Sequence, residues 1–286
     1  MKRTAIIIMV AVFVIAAAGA RAEQSGAFRI GPVIEYDWWA PYFENYIRGH
    51  DQDLLNSALS TFSMRDSSLF FGPEASYAFS ERWSLSGRFL FAVQRGYRAT
   101  GQYLWAAPGY GGYANPHAHY ADRYDMDLLA GCSINRIFTI QFGADSSIYN
   151  YSGDVNMFIS SGGTIYPLRP SARLTSWSLG LSAGGAAKVP LAEGLSLDIG
   201  LRGLCLPGEN LSNSFVRKND PFLSYGGEGT LALSCFFKKI NASISIGGKY
   251  RVLRYTLLPG ADAKEKNFST PYDQSYGVTA SAIFIL

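Results

Sequence analysis

Apolar and polar side chains alternate in stretches of about ten residues along nearly the whole chain, and no other feature narrows the possible folds as much. A period of two belongs to a strand with unlike faces, and ~10 residues is the length a tilted strand needs to cross a bilayer. Residues 82–93 place Trp83, Leu85, Phe89, Phe91 and Val93 on one side, against Ser84, Ser86 and Arg88 on the other. Segments 124–134, 138–148 and 195–206 repeat the pattern. Weaker copies run over 28–36, 69–79, 177–189, 225–237, 242–252 and 276–286. Together they predict an all-β fold: a closed antiparallel transmembrane β-barrel of about ten strands, with eight or twelve as the neighbouring counts. Lipid offers no partner to a backbone N–H or C=O, so a sheet that spans it must close on itself.

The spacers support the same reading independently. Those at 80–82, 135–136, 190–194 and 238–241 are tight. Those at 38–66, 96–122, 150–173, 207–221 and 256–272 are long and rich in Gly, Asn, Asp, Tyr and Pro. Short periplasmic turns and long extracellular loops alternate in this way, and an even strand count puts both termini on the periplasmic side.

Lys2 and Arg3 precede an apolar run over 4–18, and Ala20-Arg21-Ala22 fits a small-x-small cleavage site. The run is shorter than the ~20 residues of a spanning helix. Residues 1–22 are therefore expected to be a signal peptide cleaved after Ala22, with the barrel over 23–286 in the bacterial outer membrane. The chain is 48% hydrophobic, yet its mean hydropathy is only +0.04, which excludes a protein of many membrane helices. A net charge of +3 without any Lys/Arg run gives no reason to expect a nucleic-acid partner. Cys132, Cys205 and Cys235 are odd in number and widely spaced, so they form neither a disulfide framework nor a zinc site. No catalytic motif, cofactor fingerprint or metal site emerges.

The competing fold is a soluble β-sandwich, with the apolar face packed inward. Two features oppose it. The polar face is rich in Gly and Ser, which suit a narrow interior. The apolar face begins or ends at Trp83, Tyr124, Phe138, Trp177, Tyr225, Phe237, Tyr250 and Tyr276, as interfacial girdles would.

The ending Tyr-Gly-Val-Thr-Ala-Ser-Ala-Ile-Phe-Ile-Leu, residues 276–286, resembles the C-terminal signal of Gram-negative outer-membrane proteins, with Leu286 in place of the commoner Phe. The chain as a whole looks like a small barrel of the OmpA/OmpX/OmpW or opacity-protein kind. The resemblance implies reading by the barrel-assembly machinery and contact with outer-membrane lipid and a lipopolysaccharide-type surface. It carries no catalytic motif. Asp125-x-Asp127 looks superficially like the acidic pair of the omptin proteases, but their Asp-x-His dyad has no counterpart here.

The face opposite the apolar one carries Arg29, Glu35, Glu74, Arg88, Arg123, Asp125, Asp127, Asp145, Lys188, Asp198, Arg202, Glu228, Lys249 and Arg251. Seven bases against seven acids in a narrow interior predict a cross-strand ion-pair network that lines the lumen. Such a lumen is either plugged or a narrow channel. Among the long spacers, Tyr103, Trp105, Tyr110, Tyr113, His117 and His119 are the candidates for binding an extracellular ligand, since Tyr and Trp make large contacts at low entropy cost. Trp38 and Trp39 read as part of the interfacial belt. The functional expectation is a structural or surface barrel with possible narrow porin-like conduction. The alternatives are an adhesin acting through its loops and, more remotely, an outer-membrane hydrolase of the omptin or lipid-A-modifying kind.

Overall fold

The structure is a computed structural model. It describes residues 26–40, 63–64, 66–92, 99–100, 103–107, 110–161, 164–168, 171–211, 219–259 and 272–286. Side chains are described for 26–39, 67–92, 122–150, 175–211, 219–259 and 272–286. The expected signal peptide lies outside the described residues.

Ten strands form the barrel: β1 (Phe28–Ala40), β2 (Asp66–Ala78), β3 (Trp83–Ala92), β4 (Tyr110–Ser133), β5 (Phe138–Ser161), β6 (Ser171–Ala192), β7 (Leu195–Leu211), β8 (Asp220–Phe237), β9 (Ala242–Leu257) and β10 (Tyr272–Ile285). Each pairs antiparallel with its chain neighbours, and β10 returns to β1 with Tyr36 opposite Val278, which closes the ring. At the seam the Leu286 N–H donates to the Phe28 carbonyl at 2.8 Å.

Alternation along each strand decides what faces where. On β1, Val33, Glu35, Asp37 and Trp39 are no more than 3% exposed, whereas Ile34 and Trp38 are 47% and 40% exposed. The outside is the apolar side: Leu181, Leu201 and Ile246 show 73%, 69% and 67% of their surface. Covering such a side chain with an apolar solvent is worth ~1.5–3 kcal/mol over leaving it in water. An inside-out sheet of this kind is stable in lipid. Aromatic rings bound the apolar band. Trp38 stacks on Tyr276 with ring centroids 5.5 Å apart, and Tyr276 lies opposite Tyr250 on β9. Tyr276 and Phe284 on β10 are ~27 Å apart along the strand. At a tilt near ~40° that is ~20 Å of height, close to the ~25 Å apolar band of such barrels.

The turns between β2 and β3, β4 and β5, β6 and β7, and β8 and β9 are short because local side chains and backbone conformations fix them. Asn135 Oδ1 accepts from the Ile137 and Phe138 amides at 2.8 Å each, and Ser80 Oγ accepts from the Trp83 amide at 3.0 Å. Gly194 has φ of 75° and Asn241 of 49°, the left-handed region that these two residue types tolerate best.

At the other end the strands run further than alternation alone indicates. β4 and β5 have 24 residues each and β6 has 22, against 13, 13 and 10 for β1, β2 and β3. Much of 96–122 and 150–173, expected as loop, is therefore strand. Two further strands, Tyr103–Ala107 and Thr164–Leu168, pair with the tips of β4 and β5 and make a four-stranded flap above one side of the barrel. Both faces of a strand meet water above the bilayer, so the backbone ladder continues where the hydropathy pattern has stopped. A register shift between Pro116 and His119 bends β4 where the flap leaves the barrel.

Candidate functional site: the lumen

The lumen is built in levels. At the turn end lies a cavity of about 880 Å³. Arg29, Glu74, Lys188 and Asp198 line it, with Ser76, Ser84, Ser86, Thr139, Gln141 and Thr230 between them and Glu81, Arg82, Asn135 and Arg136 among its lining at the turns. Small hydroxyl side chains leave this space open. Asp198 accepts from Ser196 at 3.2 Å and from Ser234, whose hydroxyl lies 2.7 Å from that of Ser245.

Above the cavity the interior fills with paired charge. Arg202 on β7 contacts Glu228 at 2.6 Å, Asp145 at 3.5 Å and, across the lumen, Asp127 of β4 at 4.0 Å. Arg88 binds Asp127 at 2.8 Å and reaches Glu35 at 3.8 Å. Lys249 pairs with Glu35 and lies 3.5 Å from Asp37. Lys249 can reach β1 because Gly277 on β10 stands between them. A Cβ at Gly277 would fall 2.1 Å from the Asp37 carboxylate and 2.4 Å from the Tyr36 carbonyl. Arg251 stands one inward position above Lys249 and is 5% exposed. Charges withdrawn from water in this way persist only when paired, since each carries a desolvation penalty of several kcal/mol.

The next level joins opposite walls. Arg123 of β4 pairs with Asp125 at 2.6 Å and reaches Asp37 of β1 at 3.8 Å. Its guanidinium lies 5.2 Å from the rings of Trp39 and Phe70 and 5.6 Å from that of Tyr149. Trp39 from β1 stacks on Tyr149 from β5 at 5.1 Å and donates its indole N–H to Asp273 of β10 at 2.9 Å. Cation–π contacts of this kind strengthen when desolvated, to ~2 kcal/mol or more. Val33, Phe70 and Leu90 cluster beside them, each at most 2% exposed. Leu204, Leu206, Phe222, Leu253 and Tyr255 occupy further inward positions of β7, β8 and β9, all nearly inaccessible. Paired charges and apolar side chains thus form a septum across the lumen.

The fourteen polar residues named from the sequence all occupy inward positions. Arg29, Glu74, Lys188 and Asp198 line the cavity; the other ten stand in the septum. Asp125 and Asp127 do not form a free acidic pair at a mouth. Each is held by an arginine, and Asp125 also accepts from Ser147 at 2.8 Å. Three septum residues are not among the expected lumen residues. Trp39 faces the lumen, and only Trp38 belongs to the belt. Asp37 and Asp273 lie one to three residues beyond the expected ends of β1 and β10; continuing the alternation of Glu35 and Gly277 would have found both. Tyr103, Trp105, Tyr110, Tyr113, His117 and His119 lie on the described backbone of the flap, but their side chains are outside the described residues. Among the described residues there is no metal-binding group of three or more His, Cys, Asp or Glu.

No protein-family profile matches the chain, and no curated protein does. Among solved structures it is similar to the outer-membrane protease OmpT from Escherichia coli, at 8% identity over 93% of this chain and 99% of that one, with a TM-score of 0.44. It is also similar to the translocator domain of the autotransporter NalP from Neisseria meningitidis, at 13% identity over 98% and 96% of the two chains and a TM-score of 0.38. A third is an outer-membrane channel from Pseudomonas putida F1, at 13% identity over 93% and 97% and a TM-score of 0.38.

Proposed function

We propose that this chain resides in the outer membrane of a Gram-negative cell as a sealed barrel, and that it serves as a surface platform and not as a solute pore. The observation that carries this reading is the stack of Trp39 on Tyr149, with Arg123 bridging from β4 to Asp37, which ties opposite walls together in the outer half of the lumen. A narrow channel would need a hydrated path past these groups, and Asp37, Arg123, Trp39 and Tyr149 are each no more than 4% exposed. The pairing of Asp125 and Asp127 removes support from a hydrolase built on them. The partners of this reading are outer-membrane lipid and lipopolysaccharide around the girdles, the barrel-assembly machinery acting on residues 276–286, and an extracellular ligand at the flap.

The test is planar-bilayer recording of refolded protein, with heat-modifiable gel migration as the check of closure. The wild type is expected to be silent, and a Trp39→Ala, Tyr149→Ala double variant to show conductance steps. Steady conductance by the wild type would sink the sealed-platform reading.

A further inference from the structure

The four charged side chains inside the turn-end cavity differ from those of the septum, because none is spent on another. Among the described residues no ion pair reaches Arg29, Glu74, Lys188 or Asp198. Position does not explain this. Lys188 and Asp198 stand directly opposite each other on β6 and β7, the register in which opposite charges ordinarily meet. Glu74 stands opposite Arg88, but Arg88 is engaged by Asp127 and Glu35. Asp198 is held by neutral groups instead. One of its carboxylate oxygens accepts from Ser196 and the other from Ser234, and both serines are buried. Such bonds fix a carboxylate in place without cancelling its charge.

The ring distributes the four in a particular way. Arg29 and Glu74 are on β1 and β2. Lys188 and Asp198 are on β6 and β7, five strands further round a ring of ten. A cation and an anion on one wall therefore face a cation and an anion on the other, across one cavity. Its volume of about 880 Å³ lies within the ~300–1,000 Å³ of small-molecule sites. The septum closes the space above, so what enters at the turn end leaves by it. Unpaired charges that face water add little to stability. Both signs at fixed positions are, however, what a ligand with both signs recognises. A single amino acid brings its two charges to one point, whereas a short peptide brings them to two. We infer that the cavity is a binding site for a short zwitterionic peptide, whose ammonium groups meet Asp198 and Glu74 and whose carboxylates meet Lys188 and Arg29. The inference rests on the sealed-barrel reading, which makes the cavity a blind pocket opening to the periplasm, and it gives that barrel a ligand on its inner side.

The test is isothermal titration of the detergent-refolded protein with the tetrapeptide Glu-Ala-Ala-Lys, which carries one ammonium and one carboxylate at each end. Saturable one-to-one binding is expected. Lys188→Met and Asp198→Asn should each weaken it ~10-fold or more, the usual effect of removing a charged hydrogen-bond partner. The acetylated and amidated peptide Gln-Ala-Ala-Gln, similar in length but without charge, should not bind. Glu193→Gln, at the exposed turn pair, should leave the affinity unchanged. Heat-modifiable migration shows that each variant has closed its barrel. No saturable binding of the charged tetrapeptide, equal binding of the neutral one, indifference to Lys188→Met and Asp198→Asn, or a loss at Glu193→Gln as large as theirs would each overturn the inference. These failures differ from that of the sealed-barrel reading, which fails on steady conductance of the wild type whether or not the peptide binds.

Discussion

The two ends of the lumen solve the same problem in different ways. Both are lined by polar side chains inside a sheet that faces lipid. At the turn end, hydroxyl groups and four charged side chains surround an open cavity, and water can satisfy what protein groups do not. Higher up, the side chains of Glu35, Asp37, Arg123 and Lys249 are at most 2% exposed. There every charge has to find its counter-ion among the protein's own side chains, and Lys249, Arg202 and Arg123 each serve two or more carboxylates. One residue type thus has two meanings in a single interior. Lys188 is exposed in the cavity, while the Lys249 side chain is 2% exposed between Glu35 and Asp37.

That pair of lysines gives the sharpest way to break the comparison. Lys249→Met leaves Glu35 and Asp37 buried without their nearest cation and should lower stability by ~3–5 kcal/mol. Urea unfolding of the refolded barrel, followed by tryptophan fluorescence, measures it. A loss under ~1 kcal/mol would mean that the septum is as wet as the cavity. Gly277→Ala comes next. Its Cβ must displace the Asp37 carboxylate and the β1 backbone, an overpacking cost of ~1–3 kcal/mol in the same assay. Lys188→Met should stay within ~0.5 kcal/mol of wild type, because solvent can replace the ammonium in the cavity. Smallest of all is the turn pair Lys238–Glu193, 2.6 Å apart with side chains 73% and 84% exposed. Glu193→Gln should lower the unfolding free energy by less than ~0.5 kcal/mol, and the difference should vanish in high salt.

Sequence alternation located all ten barrel strands because lipid enforces it on one face for the height of the bilayer. It failed in two places, for two physical reasons. Above the membrane the constraint ends, so the outer third of β4, with its Gly, Tyr, Asn, Pro and His, and that of β5, which runs Asp-Val-Asn-Met-Phe-Ile-Ser-Ser, lack a period of two and read as loop. Inside the septum Val33, Phe70, Leu90, Leu204 and Leu206 face inward, so both faces of those strands are apolar and the contrast disappears. The charged members of the septum were legible, since a charge at a luminal position stands out against Gly and Ser. Which charges pair was not, because Arg123 with Asp37 and Arg202 with Asp127 join strands that are three apart around the ring.

The seam between β1 and β10 dictates the order in which this molecule can come into being. The bond from Trp39 to Asp273 links residues 234 positions apart, and that from Lys249 to Glu35 links residues 214 apart. Contacts so remote along the polypeptide are the slowest to find. Until the last fourteen-residue strand arrives, β1 keeps a bare edge and its acids Glu35 and Asp37 lack Lys249, having only Arg88 and Arg123 as cations. Closure therefore zips the cylinder and seats Lys249 and Asp273 against β1 together, and a chain truncated before Tyr272 would lose both.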